Sequence, residues 1–233
     1  QAESGPGHLR ATVKAVREMA WDYDVGTDGI VTHEPIGVCV LITPWNWPIN
    51  QIVCKVGPAL ITGCTMVLKP SEMAPLSAQL FAEMVEEAGF PKGVFNMIQG
   101  TGASVGDALT SHPEVDMISF TGSTRAGVQI AKNAADTVKR VAQELGGKSA
   151  NIVFADSDLE AAVTRGVLHC FGNTGQSCNA PTRMLVEQSV YDEAVAIAAR
   201  VAKAAKLGDP MDKGPHYGPV VSKAHYDKIQ GLI

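Results

Sequence analysis

The chain contains no Cys-x-x-Cys pair, no block of lysine or arginine, no basic stretch interleaved with aromatics, and no apolar run long enough to span a bilayer. Each absence removes a class of function. Five cysteines, an odd number without a small secreted framework, fit a reducing compartment better than a disulfide scaffold. With 19 basic against 24 acidic residues the formal charge is −5, which argues against a nucleic-acid partner. Neither a bilayer span nor a charged-then-apolar leader is present in these residues, so a cytoplasmic location with no membrane partner is expected. The six histidines have no metal-ligand spacing with Cys or acidic residues, so no metal site is expected. There is no GxGxxG fingerprint, internal repeat, low-complexity tract or heptad pattern.

What is present is a chain of 233 residues, 45% hydrophobic, able to bury a sizeable core. Residues 36–43 form a short apolar run suited to a strand buried on both faces, and Pro44 to Pro48 force a turn. Ile52, Val53, Val56, Leu60 and Ile61 then recur at helical spacing. The unit repeats: a strand from Cys64 to Leu68, a helix from Pro75 to Ala88 capped by Gly89, and a strand from Val94 to Ile98. A small-residue helix to Ser111, a strand from Val115 to Phe120, a turn at Thr121-Gly122-Ser123, a helix from Thr124 to about Ala134 and a strand from Val138 to Gln143 follow. Strands alternating with helices predict an α/β fold with a Rossmann-like parallel sheet, because each parallel crossover needs a helix to bring the chain back.

Upstream, an amphipathic helix is expected from about Leu9 to Trp21, then a turn-rich stretch around Asp24 to Gly29 joining two edge strands outside the main sheet. Beyond Glu144 the pattern restarts: strand Ala150 to Phe154, helix Leu159 to about Cys170, a polar turn, strand Arg183 to Glu187, helix Val190 to Ala205. The boundaries read as 1–144 for a dinucleotide-binding domain and 145–233 for the beginning of a second α/β domain. The chain opens on Gln1 and stops at Ile233 within what reads as an amphipathic helix, so a piece of something longer is expected.

Cys178 stands apart chemically. Cys39, Cys54, Cys64 and Cys170 lie in apolar runs and read as packing, whereas Cys178 sits in the polar turn Asn173-Thr174-Gly175-Gln176-Ser177-Cys178-Asn179, where a thiol is available as a nucleophile. Four strand ends terminate in polar or glycine turns: Thr43 to Pro48, Lys69 to Glu72, Gln99 to Gly102 and Phe120 to Ser123. In open parallel sheets the carboxyl ends of strands line the ligand crevice, so these turns should converge. Gly122-Ser123 opens a helix whose free N–H groups suit a pyrophosphate, although a glycine turn before a helix is more often plain turn chemistry. Glu72 is placed to accept from a ribose diol and to repel the extra phosphate of NADP; a solvated Glu near a helix start is the plainer reading. Glu144, followed by Leu145-Gly146-Gly147-Lys148-Ser149, is a candidate general base or a strand-end salt-bridge residue.

Pro44-Trp45-Asn46-Trp47-Pro48, Lys69-Pro70-Ser71-Glu72, Phe120-Thr121-Gly122-Ser123-Thr124, Glu144-Leu145-Gly146-Gly147-Lys148-Ser149 and Gly175-Gln176-Ser177-Cys178, in this order and spacing, resemble the signature series of the aldehyde dehydrogenase superfamily. The resemblance covers the chain from about Trp21 onward. It implies oxidation of an aldehyde to a carboxylic acid with NAD, NADP being the less expected cofactor. It also implies catalytic roles for Cys178 as nucleophile, Asn46 in the oxyanion hole, Glu144 as general base and Lys55 in proton relay. Cofactor contacts are implied at Thr43, Pro44, Trp45, Asn46, Lys69, Ser71, Glu72, Gly102, Phe120, Gly122, Ser123, Leu145 and Gly146, and an aldehyde tunnel at Trp47, Gln51, Cys54, Ser177 and Asn179. Residues 22–35 resemble the family's oligomerisation hairpin, implying a homodimer or homotetramer for a full-length protein.

Two departures stand out. Gln143 occupies a position before the expected base where relatives place an apolar residue, and the family's downstream Glu-x-Phe segment, which holds the nicotinamide ribose, does not occur among these residues. The isolated chain is therefore expected to be weakly active or inactive. Three other readings stay open: a CoA-acylating aldehyde dehydrogenase, which Glu144 speaks against; a non-catalytic nucleotide-binding fragment or paralogue; and a cysteine hydrolase pairing Cys178 with His169, which has no evident orienting partner.

Overall fold

A computed structural model describes residues 3–233, and the expectation drawn from Gln1 lies outside them. The chain divides into two compact units, one ending at Leu145 and the other spanning Gly146–Ile233.

The first unit begins with helix α1 (Ser4–Arg17), which starts earlier and ends earlier than the apolar spacing predicts. Pro6 is tolerated in a first turn because that N–H has no helical partner, and Gly5 is buried where an added Cβ would lie 2.8 Å from Ile49 Cγ2. Close docking thus supports a turn that its glycines alone would not favour. Strands β1 (Asp22–Val25) and β2 (Gly29–Thr32) form an antiparallel hairpin separate from the main sheet, as expected.

The main sheet follows from β3 (Val38–Ile42), helix α2 (Pro48–Ile61), β4 (Thr65–Lys69), helix α3 (Pro75–Glu87), β5 (Phe95–Met97), a π-turn over Gly102–Gly106 leading into helix α4 (Asp107–Ser111), β6 (Met117–Gly122), helix α5 (Thr124–Ala135) and β7 (Arg140–Leu145). The strand order is β5-β4-β3-β6-β7, all parallel. This is the Rossmann-like α/β sheet expected from the strand–helix alternation.

The unbroken apolar run in β3 has a direct cause. Cys39 and Leu41 pack with Ile52, Val53 and Val56 of α2 and with Ala78, Phe81 and Val85 of α3, while Val40 and Ile42 pack on the opposite face with Ile118, Phe120 and Ile130. Both faces are covered, so neither can be polar. Strand ends shift by one or two residues throughout the main sheet, and those of β6 and β7 have a visible cause. Thr121 and Gly122 pair in register with Glu144 and Leu145, so β6 continues through most of the expected turn and β7 runs past Gln143. Gln143 is not idle: its Nε2 donates to the Gly127 carbonyl at 2.8 Å, tying β7 to α5 where a Cβ at Gly127 would lie 2.6 Å from Gln143 Oε1.

In the second unit, β8 (Ala150–Val153) and β9 (Arg183–Val186) pair in parallel. Helices α6 (Leu159–Phe171) and α7 (Tyr191–Lys203) cover one face through Val153, Val163, Val167, Ala194 and Ile197. A last helix, α8 (Lys223–Gln230), starts from Ser222, whose Oγ accepts from His225 N, and closes before Gly231 rather than running on to Ile233.

Candidate active site

The sheet order changes direction between β3 and β6: from β3 the chain first adds β4 and β5 on one side, then crosses to β6 and β7 on the other. At such a switch point the loops leaving neighbouring strands diverge and open a crevice beyond their carboxyl ends. A cleft of about 640 Å³ lies there, lined from β3 by Thr43, Pro44 and Trp45, from β4 by Lys69, Ser71 and Glu72, and from β6 by Phe120, Gly122 and Ser123, with Gly102 from the loop after β5. Four turns far apart in number thus meet at one place.

The chemistry of the lining is mixed. Lys69, 3% exposed, donates to Glu72 Oε2 at 3.3 Å and to the Pro70 carbonyl at 2.9 Å, so its ammonium is held at the rim beside an exposed carboxylate. Ser123 caps α5, its Oγ accepting from Ala126 N at 3.3 Å, and the first-turn N–H groups of a helix have no acceptor within the helix itself. Thr121 Oγ1 is buried without a hydrogen-bond partner and its residue lines the cleft. Such a group calls for a ligand or water. These features fit a dinucleotide, whose phosphates need donors and whose ribose diol needs an acceptor. Thr121 falls within the Phe120 to Ser123 turn expected to line the crevice, whereas Ala103, Gly106, Asp107, Arg125, Ala126 and Gln129 on the same cleft were not among the expected contacts. The signal for the last three was available in the 3–4 residue spacing that puts them on one side of α5.

Leu145 does not join the cleft: its side chain packs with the core beneath α5. Gly146 begins the second unit.

On the α2 side of the sheet, Asn46, Trp47 and Gln51 are half-buried. Lys55 is buried and donates from Nζ to Ser119 Oγ at 2.9 Å. Burial pushes its ammonium below the ordinary 10.5, an effect that the charge of Glu144 partly opposes. Glu144 itself is exposed, opposite Thr121 in the ladder. Cys54 corrects the packing expectation: it is exposed, because α2 turns that position away from the sheet while Val53 and Val56 face it. Burial of its sulfur's surroundings still raises the thiol, against the lowering effect of Lys55.

In the second unit, Cys178 is half-buried and free, flanked by half-buried Ser177 and exposed Asn179. The turn before it is left-handed: Asn173 has φ 53°, Thr174 φ 58° and Gly175 φ 73°. A β-branched residue there costs about 1–2 kcal/mol, so neighbouring structure must hold it. His169 is exposed near the end of α6. Among the described residues no group of His, Cys, Asp or Glu is placed to hold a metal ion, and no helix is long and apolar enough to cross a membrane.

Comparison with known proteins gives a consistent result. The model of the aldehyde dehydrogenase family matches residues 5–233. A 3-succinoylsemialdehyde-pyridine dehydrogenase from a Pseudomonas species is 54% identical over 233 residues, which is 100% of this chain and 49% of that protein. The crystal structure of an aldehyde dehydrogenase from Bartonella henselae superposes with a TM-score of 0.96 at 58% identity, over 99% of this chain and 49% of its own. A mutant of aldehyde dehydrogenase C from Pseudomonas syringae, complexed with NAD+ and octanal, gives 0.94 at 48% identity, over 98% of this chain and 47% of its own. The chain spans about half the length of the curated relatives it matches.

Proposed function

The chain belongs to the aldehyde dehydrogenase family, and from that membership we propose that it forms the cofactor-binding and thiol-bearing part of an NAD-dependent enzyme that oxidises an aldehyde to a carboxylic acid. The observation that carries the reading is the convergence of the β3, β4 and β6 ends on one cleft with a held lysine, an exposed carboxylate and a helix N-terminus.

In this reading Lys69, Ser71, Glu72 and Ser123 hold the dinucleotide, with Thr43 to Trp45, Gly102, Phe120 and Gly122 forming the walls. Glu72 favours NAD because a carboxylate accepts from two ribose hydroxyls and repels a phosphate in their place. Bound there, NAD supplies the hydride acceptor. Cys178, as thiolate, adds its sulfur to the carbonyl carbon, and the carbonyl electron pair becomes an oxyanion. The Asn46 side-chain amide and the Cys178 backbone N–H donate to that oxyanion as charge develops. Re-formation of C=O expels hydride and leaves a thioester on Cys178. Glu144 then takes a proton from water, whose oxygen attacks the thioester; collapse breaks the C–S bond and releases the acid and the Cys178 thiolate. Lys55, buried beside Glu144's charge, is suited to pass that proton on. Trp47, Gln51, Cys54, Ser177 and Asn179 are proposed to border the aldehyde. Leu145 and Gly146, although outside the cleft lining, are proposed to meet the cofactor through their backbone alone.

We further propose that the reaction takes place in a reducing, cytoplasmic setting, that hairpin 22–35 contributes to a homodimer or homotetramer of a full-length protein, and that this chain alone turns over weakly or not at all. The last point is motivated by its span of about half of its relatives. The test combines NAD titration, followed by quenching of Trp45 fluorescence, with iodoacetamide alkylation of Cys178 read by peptide mapping. Saturable NAD quenching and aldehyde protection of Cys178 support the reading. NAD binding with no protection leaves a nucleotide-binding module, and no NAD binding overturns the cofactor assignment.

A further inference from the structure

Cys178 is reached through a turn that its own residues do not favour, and contacts from a segment 44–46 residues downstream help to hold it. Three contacts follow one another in matching order along the two segments. The Phe171 ring meets the Tyr217 ring edge-on, with centroids 5.9 Å apart. Thr174 Oγ1 donates to the Gly218 carbonyl at 3.1 Å. Val221 N donates to Gln176 Oε1 at 2.8 Å. The other end of the Gln176 amide closes the turn itself, Nε2 donating to the Asn173 carbonyl at 3.0 Å, while Asn173 Nδ2 donates back to the Gln176 carbonyl at 3.4 Å.

The downstream segment is anchored in turn. Tyr217 N donates to the Lys206 carbonyl at 2.9 Å, and Gly208 N donates to the Tyr217 carbonyl at 3.0 Å, so Tyr217 is pinned on both sides of its backbone to the loop leaving α7. Ser222 then caps α8, fixing the other end. A strap over 217–221, tied at both ends, therefore crosses the left-handed turn at 173–175.

The geometry points to Gln176 and Thr174 as positioning residues for the thiol, acting through this strap. Gln176 is suited to the task because a single amide offers an acceptor to the strap and a donor to the turn. Thr174 holds a conformation unfavourable for a β-branched side chain, and its hydroxyl bond to Gly218 is what the strap offers in return. The inference rests on the reading of Cys178 as nucleophile, but the strap can be tested without turnover.

The experiment uses the 233-residue chain with Gln176→Met, Thr174→Val and Thr174→Ser. Val keeps the shape of Thr and loses the hydroxyl; Ser keeps the hydroxyl. Hydrogen exchange is read at residues 173–179 and 217–221, and iodoacetamide alkylation at Cys178, with far-UV circular dichroism and NAD titration as controls on the fold. Gln176→Met and Thr174→Val should speed exchange in both segments together and alkylation of Cys178 at least fivefold, with NAD binding unchanged, and Thr174→Ser should stay within twofold of the parent. If both variants, folded and NAD-competent, exchange and alkylate within twofold of the parent, the strap does not position the thiol and the inference fails. Loss of NAD binding together with the secondary structure in one variant moves the decision to the other. Absence of aldehyde protection in the unaltered chain is a separate result: it removes the nucleophile and leaves the strap to be judged by exchange alone.

Discussion

Lys55 Nζ, buried on α2, donates a 2.9 Å hydrogen bond to Ser119 Oγ on β6, so the ammonium is held against the sheet instead of reaching water. The adjacent charge of Glu144 recovers part of the cost of that burial. A buried ammonium with one neutral acceptor is a stability cost that a purely structural position would not carry.

That cost has a pH signature. Because the folded state lowers the Lys55 pKa below 10.5, the unfolded chain binds more protons between the two values, and stability rises with pH across that interval. Below the interval the penalty is complete and constant; above 10.5 it is gone. Lys55→Met should therefore be more stable than the parent at neutral pH, with the parent closing the gap as pH climbs toward 10.5. Urea unfolding of both proteins from pH 7 upward measures this, and a gap that stays constant with pH would contradict it.

Thiol reactivity should separate by position. Cys39 is pushed up to about 12 by burial, with Cys64 beside it, and both are inside the core. In the folded chain at pH 8, iodoacetamide should label Cys178 and Cys54 while leaving Cys39 and Cys64 unmodified for at least a tenfold longer time. Peptide mapping before and after urea unfolding reads the order, and early labelling of Cys39 would show the core assignment to be wrong.

Gly37 precedes β3 with φ +118°, and a Cβ there would collide with the Asp116 carboxylate. That carboxylate accepts from Val38 N at 2.7 Å, at the start of the central strand. Gly37→Ala combines an unfavourable backbone with displacement of this bond, and should destabilise the chain by about 2–4 kcal/mol. A shift of the urea midpoint with unchanged slope is the expected reading; an unshifted midpoint would mean the loop relaxes freely.

Glu72 at the cleft rim should set cofactor preference. Replacing it with Ser removes the diol acceptor and the repulsion of a phosphate, so NAD should bind at least fivefold more weakly and NADP more tightly. Parallel fluorescence titrations decide it. Equal losses for both cofactors would assign Glu72 only to holding Lys69.

The strand–helix order, the parallel sheet and the separate hairpin were legible in the chain because their signal is local. A two-sided strand must be apolar throughout, a helix repeats every three or four residues, and Pro44 and Gly89 punctuate the chain wherever they fall. The start of α1 was not legible, since Gly5 becomes helical through its contact with Ile49. The extent of β6 was not legible either, since Thr121 and Gly122 gain strand geometry only by pairing with β7. Cys54 read as core from its neighbours in sequence, and only the phase of α2 against the sheet turned it outward.

The residue types proposed to do chemistry, the thiol at 178 among them, were fixed by the order of amino acids. Which of them share a cleft, which lysine loses its water, and that a segment over 217–221 straps the turn before Cys178 depended on the folded chain. These are relations between residues far apart in number, and no local periodicity encodes the distance between them.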